Sequence, residues 1–162
     1  MNPAVLQTLE KQADHERFAS AAYLAMSHWC EANDYSGFAS FFKQQSGEEI
    51  GHADRIYKHR VDRGQVPALG ALAAPKVAFG SLVEVAEAAL ALEQKNTAGI
   101  HAAYKAALEA SDYPAQVLLH WFIGEQVEEE AWADKMVGKT KAATCAGALT
   151  YLDRHIVKEL TE

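Results

Sequence analysis

Positive charge is scarce in this sequence. Fifteen Lys and Arg stand against 22 Asp and Glu, a formal net charge of −7. Binding to a nucleic-acid backbone is driven by clustered Lys and Arg, so no nucleic-acid partner is expected. Cysteine is nearly absent. Cys30 and Cys145 lie far apart and form no close-spaced pair of the zinc or redox kind. Both are expected to be plain buried thiols in a reducing compartment. No stretch approaches the roughly 20 consecutive apolar residues that a membrane span needs, so no membrane partner is expected. The N-terminal MNPAVLQTLEKQADHE lacks a basic segment followed by an unbroken apolar run. No signal peptide is expected, and the expected location is the cytoplasm.

What remains is apolar and helix-favouring. A chain of 162 residues, 49% hydrophobic and 23% charged, has the material for one globular domain over residues 1–162 with a real core. Its alanine-rich composition, with only four prolines, favours helix throughout. The apolar pattern has the helical period and breaks at four places. A first helix is expected over about residues 3–32, with Leu6, Leu9, Ala13, Glu16, Ala19, Tyr23 and Met26 on one stripe. The turn ANDYSG ends it, and Ser36 can cap a second helix over about 36–63, with Phe38, Phe42, Gln45, Glu49, His52 and Ile56 on its stripe. Residues 63–81 carry two prolines and three glycines without periodicity. A connection this long suits a crossover, so helices two and three are expected to be parallel. Ser81 as cap with Glu84 in the capping-box position opens a third helix over about 81–110. Pro114 opens a fourth over about 114–138, with Leu118, Phe122, Gln126, Glu129, Ala133 and Met136 in its stripe. A short fifth helix is expected over about 148–160. The fold class expected is all-α: a four-helix bundle with a long crossover between helices two and three and a short C-terminal fifth helix.

Each long helix carries a carboxylate inside its apolar stripe, near its middle: Glu16, Glu49, Glu93 and Glu129. Packed side by side, the helices bring them to one level. An unpartnered buried carboxylate is costly, and four together would repel until most took up protons. Two divalent cations balance four Glu charges to a formal sum of zero. His52 lies three residues after Glu49, on the same helical face. One carboxylate can then bridge two metals while the imidazole caps one of them. A carboxylate-rich site with a single imidazole suits a redox-active first-row metal, iron foremost, better than structural zinc. This constellation recurs in ferritin-like di-iron bundles.

The segments HERFASAAYLAMSHWC, EEIGH, LEQK and GEQVEEE together resemble the bacterial non-haem ferritins, and the resemblance covers essentially the whole chain. It implies an iron-storage protein with ferroxidase activity: Fe(II) oxidised to Fe(III) with dioxygen or peroxide, and ferric oxyhydroxide deposited inside a cage of 24 identical chains. Residue by residue, it implies that Glu16, Glu49 and His52 hold one iron, and that Glu93, Glu129 and the bridging Glu49 hold the second. Gln126 would stand beside the oxygen site. Tyr23 matches a family tyrosine that donates electrons; a packed, hydrogen-bonded core tyrosine is the other reading. Glu48, Glu125 and Glu128 match a third iron site that shares Glu129, with a solvated acidic face as the alternative.

Departures narrow the resemblance. Haem-containing bacterioferritins and rubrerythrin-like enzymes carry a second Glu-x-x-His on helix four, where this chain has Gln126 and Glu129, so no haem is expected. The acidic stretch that lines a three-fold channel in many ferritins is here AQVLLHWF, with Gln116, Leu119 and His120. Two alternatives stay open: a di-iron peroxidase or oxygenase without mineral storage, against which the single histidine argues, and a structural cage subunit, against which the full ligand set argues. Trp121 and Trp132 are expected to pack. Trp29, Phe79 and the DYP segment are candidates for subunit interfaces or core packing. Gly47 and Gly51 are expected to leave room near the site.

Overall fold

Helix signals in the sequence are met by capping side chains at three of four starts. In the computed structural model, which describes residues 1–161 except for the side chain of Thr161, Asn2 Oδ1 accepts from Ala4 N at 2.9 Å and opens α1 (Pro3–Ala32). Ser81 Oγ accepts from Glu84 N at 3.2 Å and opens α3 (Leu82–Glu109). The Glu84 carboxylate reaches one residue past the usual capping-box partner, to Gly80 N at 2.6 Å. Asp112 Oδ1 accepts from Ala115 N at 3.2 Å and opens α4 (Tyr113–Ala142), with Pro114 in its first turn. The remaining helices are α2 (Ser36–Asp62) and α5 (Ala146–Thr161).

The start of α2 departs from expectation. Ser36 is its first residue rather than its cap, and Tyr35 before it makes no side-chain capping bond. The free amide of Phe38 instead donates to Asp153 Oδ1 of α5 at 3.0 Å. A cap supplied across 115 residues leaves no local trace in the sequence. The approach is so close that a Cβ on Gly37 would lie 1.8 Å from the Asp153 carbonyl oxygen. Replacing Gly37 by Ala should therefore pry α5 off α2, at a cost of about 1–3 kcal/mol. Urea melts and limited proteolysis between α4 and α5 read this directly; parental stability and cleavage would show that α5 is held elsewhere.

Side-chain bridges at the two ends fix the topology. Arg63, just past α2, donates through Nη1 to both carboxylate oxygens of Asp112 at 2.6 and 2.8 Å. The ends of α2 and α3 thus lie together and the two helices run parallel. At the opposite end Trp29 of α1 meets Phe79, ahead of α3, edge to face at 5.9 Å. The crossover, residues 63–81, travels the length of the bundle. Midway, Gly70 is clamped to α1: its N–H donates to Asp14 Oδ1 at 3.2 Å and its carbonyl accepts from Arg17 Nη1 at 3.1 Å. The result is an up, down, down, up four-helix bundle with a fifth helix at one end.

Two apolar clusters fill this bundle. One contains Tyr23, Met26, Phe38, Phe42 and Met136 and is closed by Leu152 and Ile156 of α5. The other contains Leu9, Ile56, Ile100, Leu119 and Phe122. The carboxylates lie between them in sequence register on every long helix.

Several expectations are corrected by this packing. Leu6 and Leu118 are half-buried, and Val5 and Leu119 are the buried neighbours. Over helices this long the buried face is wide enough to include adjacent positions. Gly138 does not end α4, which continues to Ala142, and α5 begins at Ala146, two residues earlier than expected. Between them Cys145 is exposed, not buried; Cys30 is buried, and burial with the Asp153 charge pushes its thiol up to about 12. Gly47 and Gly51 sit on the exposed side of α2 with open space where a Cβ would be, so they make no room for the site. Trp29 and Phe79 are half-buried and pack against the first cluster.

Candidate metal centre

Helical period alone carries six polar side chains into the layer between the clusters. Glu16 comes from α1, Glu49 and His52 from α2, Glu93 from α3, and Gln126 and Glu129 from α4; none is more than 6% exposed. Glu16, Glu49 and His52 each place a potential ligand atom within 4.8 Å of the others. His52, Glu125 and Glu129 do the same, so the imidazole takes part in both groups. Glu93 belongs to neither group. Its two oxygens accept from the Tyr23 hydroxyl and from Gln126 Nε2, the latter at 3.2 Å.

The hydrogen bonds around the carboxylates are uneven. Glu16 accepts at both oxygens, from Gln12 Nε2 at 2.9 Å and Asn96 Nδ2 at 3.1 Å. Glu129 Oε2 accepts from Trp132 Nε1 at 2.5 Å. Both oxygens of Glu49 and Nδ1 of His52 have no hydrogen-bond partner among the described residues, although Nδ1 lies 3.4 Å from Glu49 Oε2. A buried, ionised, unpartnered carboxylate is among the most costly groups a core can hold. Its neighbours are further carboxylates, so a cation is the partner that fits. A carboxylate and imidazole donor set, without thiolate, suits a first-row divalent ion.

Electrostatics tell the same story. Burial, followed by the Glu49 charge, raises the Glu16 carboxyl well above its ordinary range. Burial raises Glu49 as well, with Glu93, Glu129 and Glu48 adding to it. With both ionised neither can donate; one proton held on Glu16 would link the two. Burial raises Glu93, against the bonds from Tyr23, Gln126 and Asn96 that lower it. Glu129 is pushed up to about 8, by burial first and then by the Glu93 charge. Burial and the charges of Glu93 and Glu49 raise the Tyr23 phenol well above its usual range, so it stays protonated. Its ring stacks on Phe42 at 5.8 Å.

The further acidic residues divide. Glu125 is half-buried and joins His52 and Glu129. Glu48 and Glu128 are exposed and fall outside both groups; Glu48 accepts from Gln44 at 2.8 Å and Gln45 at 2.7 Å.

Four further residues of this layer, absent from the expected site, bond its carboxylates or Gln126. Gln12 and Asn96 bond Glu16, and Thr97 accepts from Gln126 Nε2 at 3.1 Å while donating to Glu130. Trp132 packs as expected, 4.9 Å from Phe41, but also donates to Glu129. The available signal was spacing: Gln12 lies four residues before Glu16, Asn96 three after Glu93 and Trp132 three after Glu129, each on a buried face. Trp121 meets the His52 ring at 5.4 Å, and the Arg55 guanidinium stands 3.7 Å over its indole.

Relatives carry the same architecture. Residues 6–143 match the ferritin-like domain. The chain is 41% identical over 127 residues to the bacterial non-heme ferritin of Staphylococcus aureus strain MRSA252, covering 78% of this chain and 76% of that one. Identity to the bacterial non-heme ferritin of Staphylococcus saprophyticus is also 41%, over 131 residues, 81% of this chain and 78% of the relative. Among solved structures, an open pore ferritin from the hyperthermophilic archaeon Archaeoglobus fulgidus matches with a TM-score of 0.93 at 27% identity, over 96% of this chain and 97% of that one. Both the whole-bundle match and the identity to curated relatives lead to one assignment: the chain belongs to the ferritin family.

Proposed function

We propose that this chain oxidises Fe(II) at an in-bundle di-iron centre and stores the product as ferric oxyhydroxide inside a cage of identical chains. The observation that carries the reading is the unpartnered Glu49 and His52 pair, buried against Glu16 and with Glu129 beside the imidazole. Glu16 and His52 hold one ferrous ion, Glu93 and Glu129 the other, and Glu49 serves both. Gln126 stands beside the oxidant, and Glu48, Glu125 and Glu128 form a neighbouring acidic site for a third ion. Each Fe(II) gives one electron. With dioxygen the balance is 2 Fe(II) + O2 + 4 H2O giving 2 FeOOH + H2O2 + 4 H+; with peroxide as oxidant the two electrons reduce it to water. The protein's contribution is to hold two like-charged ions together by carboxylate charge and to position them. Tyr23, protonated and bonded to Glu93, packs beside the proposed centre.

Assembly is supported by the outer apolar surface. Val66, Leu69 and Val77 of the crossover are largely exposed, and Leu24 of α1 is exposed as well. Burial of such residues against further copies is the usual resolution. Among the described residues no helix is long and apolar enough to cross a membrane. The test is aerobic loading with Fe(II) in large excess over chains, followed by sizing and iron analysis. Iron should co-elute, as an amber ferric core, with a particle far larger than 17.7 kDa. Rapid oxidation with all ferric iron outside the particle would mark an oxidase without storage, and a stable monomer would end the cage reading.

A further inference from the structure

Two buried amides hold Glu16 by both of its oxygens. Gln12 and Asn96 are 2% and 0% exposed. Gln12 Nε2 uses both hydrogens, one on Glu16 Oε1 at 2.9 Å and one on Asn96 Oδ1. Asn96 Nδ2 likewise divides between Glu16 Oε2 at 3.1 Å and Gln126 Oε1 at 3.2 Å. Flipping either amide would turn a carbonyl oxygen onto a carboxylate, so the orientations are set by chemistry. The bridge links α1, α3 and α4 at the level of the four glutamates. Its residue types also fit: an apolar side chain at either position would leave one Glu16 oxygen without its donor, and an acidic one would add charge to a site that already has four carboxylates. Room for the bridge comes from Gly99 on α3, where a Cβ would lie 2.2 Å from Gln12 Oε1.

We propose that Gln12 and Asn96 are positioning residues, and that the amide bridge they form, accommodated by Gly99, presets the Glu16 carboxylate for the ion it shares with Glu49 and His52. The proposal rests on reading that group as a metal site. Partners that orient a ligand are ordinarily worth 10–100-fold in metal affinity, and the amide bridge is expected to fall in that range.

The test uses the assembled, chelator-stripped protein and anaerobic Co(II), whose visible spectrum reports coordination. Gln12→Leu and Gly99→Ala should each weaken the first Co(II) site by about 10-fold or more and change its spectrum. The double variant Gly99→Ala with Gln12→Ala removes the clash but not the missing donor. It should regain thermal stability over Gly99→Ala alone while its Co(II) affinity stays weak. Parental affinity and spectrum in Gln12→Leu and in the double variant would overturn the bridge and leave the metal site intact. A parent protein that binds no Co(II) would overturn the metal-site reading, and the bridge's role with it.

Discussion

Exchanging Glu49 for Gln is expected to abolish the fast phase of Fe(II) oxidation, a loss of at least about 100-fold, beyond what removing a residue behind a ligand costs. The same exchange is expected to stabilise the metal-free protein. Both effects come from one fact: Glu49 is 1% exposed and neither of its oxygens has a hydrogen-bond partner among the described residues. In the metal-free bundle its ionisation is opposed by burial and by its carboxylate neighbours, which raise its pKa. A neutral amide of the same shape removes that charge and offers donors to Glu16, worth about 1–3 kcal/mol. In the proposed di-iron centre the same side chain serves two ions, and an amide cannot bridge them. Stopped-flow oxidation with thermal melts in chelator reads both halves. An unchanged fast phase would refute the bridging role; a lower melting temperature without metal would refute the account of why the site is strained.

Metal-free protein should also lose stability as pH rises, the reverse of ordinary acid denaturation. Glu129 is pushed up to about 8, and Glu16, Glu49 and Glu93 are raised as well. A raised carboxyl holds its proton in the folded state at pH values where the unfolded chain has released it. The folded state then binds more protons, so stability falls with pH by about 1.4 kcal/mol per unit for each such group. For Glu129 the favourable contribution is complete below about pH 4.5, the unfolded value, and is lost as pH climbs through about 8. Bound divalent metal removes this slope, because the ion displaces those protons and the loaded folded state then carries the carboxyls ionised, as the unfolded chain does. Melts from about pH 5 to about pH 8 should give a falling curve in chelator and one without that fall in Zn(II). Glu129→Gln should flatten the chelator curve across this range. Parallel curves would contradict the assignment of these carboxylates to a cation.

Periodic features were legible in the sequence because burial enforces them. Glu16, Glu49, His52, Glu93, Gln126 and Glu129 sit in apolar stripes, and a stripe on a long helix can only face the core. The crossover announced itself through prolines and glycines without period, and the parallel run of α2 and α3 followed from its length. Features made by long-range partners were not legible. Asp153 caps α2 from the far end of the chain, and no local signal marks it. Asn96 reads as an ordinary polar residue until the packing of α1 against α3 places its amide on Glu16. Cys145 reads as apolar by type, yet it falls in the short link between α4 and α5, where there is nothing to cover it.

Under the proposed function, four glutamates and one histidine on four helices hold two ferrous ions at once. Titration of the metal-free protein with Fe(II) in air, following oxygen uptake and ferric absorbance together, tests it most directly. Fast oxidation should continue until two Fe(II) per chain have been added and then break, with one dioxygen consumed for each pair. A break at one iron per chain, or oxidation no faster than in buffer, would contradict it.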